Sequence, residues 1–532
     1  MQSRPLLVAV AAILAGTATS QSNTVPGLDG KLFDISQPTY WGRRGPAFPN
    51  GEIGFSASNT MCNPGSVNIP WFAAMSENHP MFGFMVTRIT DDRMVQISDR
   101  SMCKHAFLSL NNNTGPCVPC ANTSSGSQMF VGCSDVYSAG NNGSRNWLGP
   151  ADEIDPWLGT WTALGSYFDR GDPDVGPPNN NDGVKSNISA PDQVKNRVTI
   201  QEQDLIVPNS TFWYQIHLLH RGESVANRGD NLMSRGVTFT TGAGGSWNTG
   251  NATTPLQGSI LQRWSGATIN MAGNGNDDGR IAIAVKVTGP TNGIWHYEYA
   301  VHNVDNSRGA ASFRVPICSS ARIFNVGFRD IDDNALNQWT GAKQGSEYVF
   351  TAPPGNSLDW NMLFNFWFDS DAGPGTANAV FDEARIGPGA LSFTVPTEAP
   401  QSVPNVYLGD GCGSPATILT GNGLPTIPNP SFAVNVQTQP FAALFLFLGN
   451  EVNVPLGGGC TQYVDATGIL SLGFVLADVS GTATFGLPIP PGMAPGSAVL
   501  QAAQISPGAG AFLGDFNLSN GLKIRAGLSG CP

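Results

Sequence analysis

The chain has 532 residues, 41% of them hydrophobic, enough to bury more than one core and, by length, to form roughly three domains. Only 12% are charged, while 64 Gly and 39 Pro favour short strands joined by turns over long amphipathic helices. A formal net charge of -12 with no basic cluster excludes sequence-independent nucleic-acid binding, which needs cations to displace the counterions of a phosphate backbone.

Met1 to Ser20 reads as an export signal cleaved near Ser20: Arg4, the apolar run Leu6 to Ala15, then the small residues Ala18-Thr19-Ser20. No later apolar run reaches the roughly 18 residues that span a bilayer. The expectation is a secreted or cell-surface protein with no transmembrane anchor. Residues 21–255 are expected to form a loop-rich β module containing Cys62, Cys103, Cys117, Cys120 and Cys133. Outside the cytoplasm these favour disulfides, although Cys117 and Cys120 with Cys103 and Cys133 also fit a zinc site. Nine cysteines leave one over, and Cys531 is the natural candidate; Cys412 and Cys460 are expected to pair. Asp169 to Asn187 reads as a long loop, after which strands resume at Arg197 to Ile206 and Thr211 to Leu219.

Residues 256–395 carry the clearest pattern. Trp295, Tyr297, Tyr299 and Val301 alternate, predicting a strand with one buried face. Asn303 to Gly309 reads as a turn, and Phe313 to Ile317 starts another strand, giving a β-hairpin or the corner of a sandwich. Further strands at Ile281 to Val287, Ile323 to Phe328, Tyr348 to Ala352 and Leu363 to Phe368 predict a central antiparallel β-sandwich. Pro396, Pro400 and Pro404 mark 396–404 as a linker. The nearly uncharged remainder, 405–532, has apolar or alternating runs such as Ala442 to Leu448 and Ile469 to Leu476, predicting a C-terminal β-sandwich. The fold class is therefore mainly β.

Six histidines are candidate copper or zinc ligands: His79, His105, His217, His220, His296 and His302. His217 and His220 on a strand point to opposite faces and cannot share an ion. His296 and His302 share a face but lie roughly 20 Å apart. His296 with Glu298, about 7 Å apart at Cα, is a two-ligand start, and His79 with His105 is a second candidate pair. Acidic loops, Asp330-Ile331-Asp332-Asp333 foremost, with Asp172-Pro173-Asp174, Asp277-Asp278-Gly279 and Asp369-Ser370-Asp371, are candidate calcium sites, since clustered carboxylates and carbonyls supply oxygen ligands. No Gly-x-Ser-x-Gly, His-Glu-x-x-His or phosphate-loop motif occurs.

Three stretches, Glu77-Asn78-His79-Pro80 with Cys103-Lys104-His105-Ala106-Phe107, Gly132 to Gly140, and Trp295 to Pro316, resemble a family of secreted multidomain proteins of Planctomycetes and related environmental bacteria. Asn325-Val326-Gly327-Phe328 and Leu363-Phe364-Asn365-Phe366 extend the likeness over most of residues 60–395. The tail, with Gly411-Cys412-Gly413 and Leu446 to Asn450, is similar to a β-domain appended to many exported proteins of those bacteria. The resemblance implies an exported, β-rich bacterial protein and no particular activity. Two positions depart from its pattern: Cys103 stands in place of an apolar residue, and Arg329 stands where members often carry histidine.

Three functions follow in order of preference. The first is an exported cell-surface or extracellular structural and interaction protein with a C-terminal attachment or sorting domain, its partner an extracellular polymer or the cell surface. The second is an exported copper- or zinc-dependent oxidoreductase using the histidines. The third is a carbohydrate-binding or carbohydrate-cleaving protein that stacks exposed aromatic rings on sugars.

Overall fold

A computed structural model describes residues 25–532 except 73–74, 100–102, 105–106, 173–180, 187, 189, 276–277, 292, 333, 529 and 532. The expected export signal, and His105 with it, lie outside the described residues. Three apolar cores, each enclosed by antiparallel sheets, follow one another along the chain. The first lies between a sheet built on Lys31–Arg44, Glu52–Cys62 and Val198–Gln201 and a larger sheet ordered Trp247–Asn251, Leu232–Thr241, Thr211–Leu219, Met81–Thr90. Phe55, Phe82, Phe84, Tyr214 and Ile216 meet between them.

The second core is a sandwich of two five-stranded sheets. One runs Thr268–Gly273, Arg280–Thr291, Ile294–Asn303, Met362–Ser370, Ile323–Arg329; the other runs Thr340–Gln344, Glu347–Thr351, Ala310–Pro316, Gly373–Glu383, Ser392–Ser402. Because Ile294–Asn303 and Ala310–Pro316 belong to opposite sheets, the segment between them is a sandwich corner. Asn303 Oδ1 accepts from the Asn306 N–H at 2.8 Å, and Asn306 Oδ1 accepts from Gly309 N–H at 2.7 Å. Gly309 has φ +65° and a Cβ there would stand 2.4 Å from Asp359 Oδ1, so the corner needs glycine.

The alternating rings of Ile294–Asn303 fill the sandwich, as their spacing predicts: Trp295, Tyr297, Tyr299 and Val301 are all buried. The opposite face is also buried at Glu298, Ala300 and His302, because the first module packs on it. Met85, Met94, Ile260 and Trp264 meet Ala282, Ala284, Ala300 and Leu363 in an apolar seam between the two modules. Side-chain amides stitch that seam, Asn361 Nδ2 to the Phe84 carbonyl and Asn365 Nδ2 to the Met94 carbonyl, each at 2.7 Å.

Two expectations change. Residues 396–402, read as linker, continue the strand Ser392–Ser402, with Pro396 opposite Asn378 and Pro400 opposite Pro374. The strand is the last of its sheet, and an edge tolerates prolines because half its backbone groups need no ladder partner. The cysteines also pair differently. Cys62–Cys117, Cys120–Cys133, Cys318–Cys531 and Cys412–Cys460 are disulfides, and the buried Cys103 stands outside them. Three sulfurs of the supposed zinc set are thus committed to each other or to Cys62. Cys531, expected as the leftover thiol, joins Cys318 across 213 residues.

The third core lies between a sheet ordered Asn405–Leu408, Gly521–Ala526, Gly496–Gly510, Ala443–Gly449, Leu470–Leu476 and a smaller sheet of Ile418–Asn422, Ala433–Gln437 and Thr482–Gly486. Leu444, Leu446, Val434, Val436 and Leu500 fill it. Cys412–Cys460 closes this module, as expected. Cys318–Cys531 and the Arg322 guanidinium, 3.9 Å over the Tyr407 ring, tie it to the central sandwich. No described helix is long and apolar enough to cross a membrane.

Candidate functional site

The most structured polar site is a cleft of about 460 Å³ beside the seam between the first two modules, lined by Arg88, Arg93, Lys286, His296, Glu298 and Arg329 among others. His296 and Glu298 are two positions apart on Ile294–Asn303, so they face the same way. Strand register sets Asp369 of Met362–Ser370 directly opposite His296. The imidazole lies between two carboxylates, with Nδ1 2.7 Å from Asp369 Oδ1 and Nε2 3.3 Å from Glu298 Oε2. The Glu298 bond, with help from Asp369, raises the His296 pKa above the ordinary imidazole value against the opposing effect of burial.

The first module supplies the other half. Arg93 donates to Glu298 Oε2, and its guanidinium lies 3.9 Å over the Trp367 ring. Lys286 pairs with Asp92, and Arg88 donates to Asp204 Oδ1 at 2.7 Å, a carboxylate that Arg329 approaches at 3.5 Å. Acids and bases alternate across the cleft, which therefore behaves as an ion-paired fastening between modules. An imidazolium has no lone pair for a metal, and this arrangement favours the imidazolium.

The remaining predicted residues lie apart from it. His79 is buried, its Nδ1 against the Phe72 carbonyl and its ring edge-on to Trp71. Asp330 Oδ2 accepts from Asn356 Nδ2 at 2.7 Å and its Oδ1 from the Asp332 N–H at 3.1 Å. Asp332 in turn accepts from the Asn334 N–H at 2.8 Å. These carboxylates hold turns together, and burial raises the Asp330 pKa. Burial also keeps His217 and His302 neutral, pushing His302 down to about 3. Among the described residues, no group of three or more His, Cys, Asp or Glu side chains is arranged to hold a metal ion.

A second buried polar cluster forms around His220, and its Asp29 carboxylate is the member that the sequence analysis did not single out. The tight turn after Thr211–Leu219 brings His220 Nε2 to 3.0 Å from Glu223 Oε1, which also accepts from the Gly30 N–H at 3.0 Å. Burial, then Asp230 and Glu223, push the Asp29 carboxyl beside them up to about 7, and its Oδ1 has no hydrogen-bond partner. The large apolar side chains left exposed include Phe48, Phe72, Phe324, Phe441 and Phe474. None of the large exposed side chains is Trp or Tyr among the described residues; the exposed rings are phenylalanines.

No family model matches the chain, and no curated protein matches it. Among solved structures, the major pilin subunit BcpA of Bacillus cereus is similar over 62% of this chain and 84% of the pilin, at 10% identity and a TM-score of 0.18. Escherichia coli alpha-2-macroglobulin activated by porcine elastase is similar over 93% of this chain and 35% of its own, at 10% identity and a TM-score of 0.14. At such TM-scores neither likeness carries an argument about this protein.

Proposed function

We propose that the protein is an extracellular structural and interaction protein whose C-terminal module makes the attachment contact. One observation carries the reading: the outer face of that module's larger sheet exposes apolar side chains at its edge, with Phe474 51% and Leu476 59% exposed and Phe441 and Val479 beside them at 69% and 77%. Contiguous exposed apolar surface on a folded protein marks a contact surface. Four disulfides suit an oxidising compartment, in keeping with the export signal and with the resemblance to secreted bacterial proteins. The salt-bridged cleft serves as internal fastening in this reading.

Deleting residues 405–532 together with Cys318→Ser, in the producing cell, tests it. The full chain is expected on the cell surface and the shortened chain in the medium. Equal retention of both would remove the attachment role.

A further inference from the structure

We infer that a groove between the first two modules, walled by Glu153, Asp155, Leu158, Asp278 and Arg308, binds a neutral saccharide chain. The groove is independent of the attachment contact, because every residue that lines it precedes the C-terminal module. Two cavities of about 610 and 550 Å³ share Glu153, Asp155 and Leu158 as a common wall. That wall belongs to the hairpin of Ile154–Asp155 and Thr160–Trp161, whose turn is held by Asp155 Oδ1 accepting from the Trp157 N–H at 3.0 Å and the Leu158 N–H at 2.9 Å. The central sandwich contributes Asp278, Ser307, Arg308 and the segment Arg385 to Pro388 to the second cavity.

Asp278 and Arg308 are 1% and 3% exposed, and their geometry is fixed from all sides. Arg308 Nη1 donates to Asp278 Oδ2 at 2.8 Å and to the Ala390 carbonyl at 2.9 Å, and its Nε donates to the Arg385 carbonyl at 2.6 Å. Two glycines let the loop backbone lie directly on this pair: a Cβ at Gly387 would stand 3.0 Å from Asp278 Oδ1, and one at Gly389 would stand 1.9 Å from Oδ2. Among the described residues, Arg308 Nη2, Asp278 Oδ1 and Glu153 Oε2 are buried with no hydrogen-bond partner. Buried polar atoms are costly unless bonded, so these three mark where a ligand completes the site.

Their chemistry selects that ligand. Arg308 Nη2 needs an acceptor and Asp278 Oδ1 needs a donor. An ammonium group offers donors only, and an ionised carboxylate acceptors only, so each would satisfy one of the two and be repelled by the other. A hydroxyl both donates and accepts and carries no charge. Burial raises the Glu153 and Asp155 carboxyls, which weakens any attraction for a cation. Leu158, Leu164 and Ile386 are exposed in the same groove and offer apolar contact to the C–H face of a sugar ring. Each cavity far exceeds the ~30 Å³ of one water and lies within the ~300–1,000 Å³ of small-molecule sites; two with a common wall suit a chain better than a single sugar.

A glycan array probed with the mature, oxidised full chain, followed by calorimetry on the best neutral oligosaccharide, tests the inference. A Kd below about 1 mM is expected, unchanged between about 0.05 and 0.5 M NaCl because no ion pair forms with the ligand. Asp278→Asn is expected to weaken binding at least ~10-fold. Since that variant also breaks a buried ion pair, Leu158→Glu at the exposed turn accompanies it and is expected to keep the wild-type melting temperature while weakening binding at least ~5-fold. No neutral oligosaccharide bound at about 1 mM overturns the inference, and so does wild-type affinity in either variant that melts with the wild-type chain. Selective binding of amino sugars or uronic acids that is lost at about 0.5 M NaCl overturns it as well, because the groove would then be recognising charge.

Discussion

His296 shows how much one side chain depends on residues far away in the chain. Its neighbour Glu298 is readable from strand periodicity, because alternate residues share a face. Asp369 lies 73 positions later and Arg93 belongs to another module; only register and packing bring them in. Since the folded pKa is raised, the protonated histidine stabilises the fold fully below the unfolded value of about 6.5, and the contribution is lost as pH rises through the folded value. The imidazole is a third exposed, so the effect is modest, below ~1 kcal/mol. An NMR titration of His296 is expected to show a midpoint above 6.5 that falls in Asp369→Asn; an unchanged midpoint would mean that Asp369 does not hold the ring. Asp29 follows the same sign for a different reason. Burial beside Asp230 and Glu223 raises its carboxyl to about 7, so the native state binds the extra proton and stability falls as pH rises from about 4 towards 7. Asp29→Asn removes that liability. Urea unfolding is expected to show the variant gaining roughly 1–3 kcal/mol over wild type at pH 8 and little at pH 4.

Among elements, those with strong alternation were legible and those held by their neighbours were not. Ile294–Asn303 announces itself through Trp295, Tyr297 and Tyr299, whereas Gly373–Glu383 begins Gly-Pro-Gly-Thr-Ala and has little strand propensity. It is a strand because Ala310–Pro316 and Ser392–Ser402 flank it on both sides. The prolines at 396 and 400 were read by composition, and their edge position is a fact of sheet order that no local window contains. Cysteine pairing has the same character: of the three cysteines in the last module, Cys412 and Cys460 pair with each other as expected, while Cys531 has its partner 213 residues away in the central sandwich. In the chain-entropy account, closing that loop contributes up to about 5 kcal/mol. Cys318→Ser is therefore expected to lower the denaturation midpoint by more than Cys120→Ser, whose disulfide closes a 13-residue separation. A thiol assay on the denatured, non-reduced wild-type chain is expected to find one thiol, that of Cys103. Two chains linked through Cys531 on a non-reducing gel would contradict the pairing.

For the whole molecule, the question is whether the first two modules act as one body. Their seam buries Met85, Met94, Trp264, Ala284 and Leu363, and it is also bonded, with Asn361 and Asn365 reaching main-chain carbonyls and the Leu363 N–H donating to Gln96 Oε1 at 2.7 Å. A loosely associated pair of domains would leave such amides hydrated; here each is buried, and removing one strands a main-chain acceptor at a cost of about 1–3 kcal/mol. The two modules should then unfold together, because separating them would expose apolar surface and these amides in a single step. Calorimetry is expected to show one transition for the first two modules, and Asn365→Ala to lower it as a unit, with no separate early melting of the first module. A variant that instead splits the transition in two would show that the seam couples modules of independent stability. In that case the His296–Glu298–Arg93 fastening, which bridges the same two bodies, would be the more sensitive element to pH, and the split would widen as His296 loses its proton.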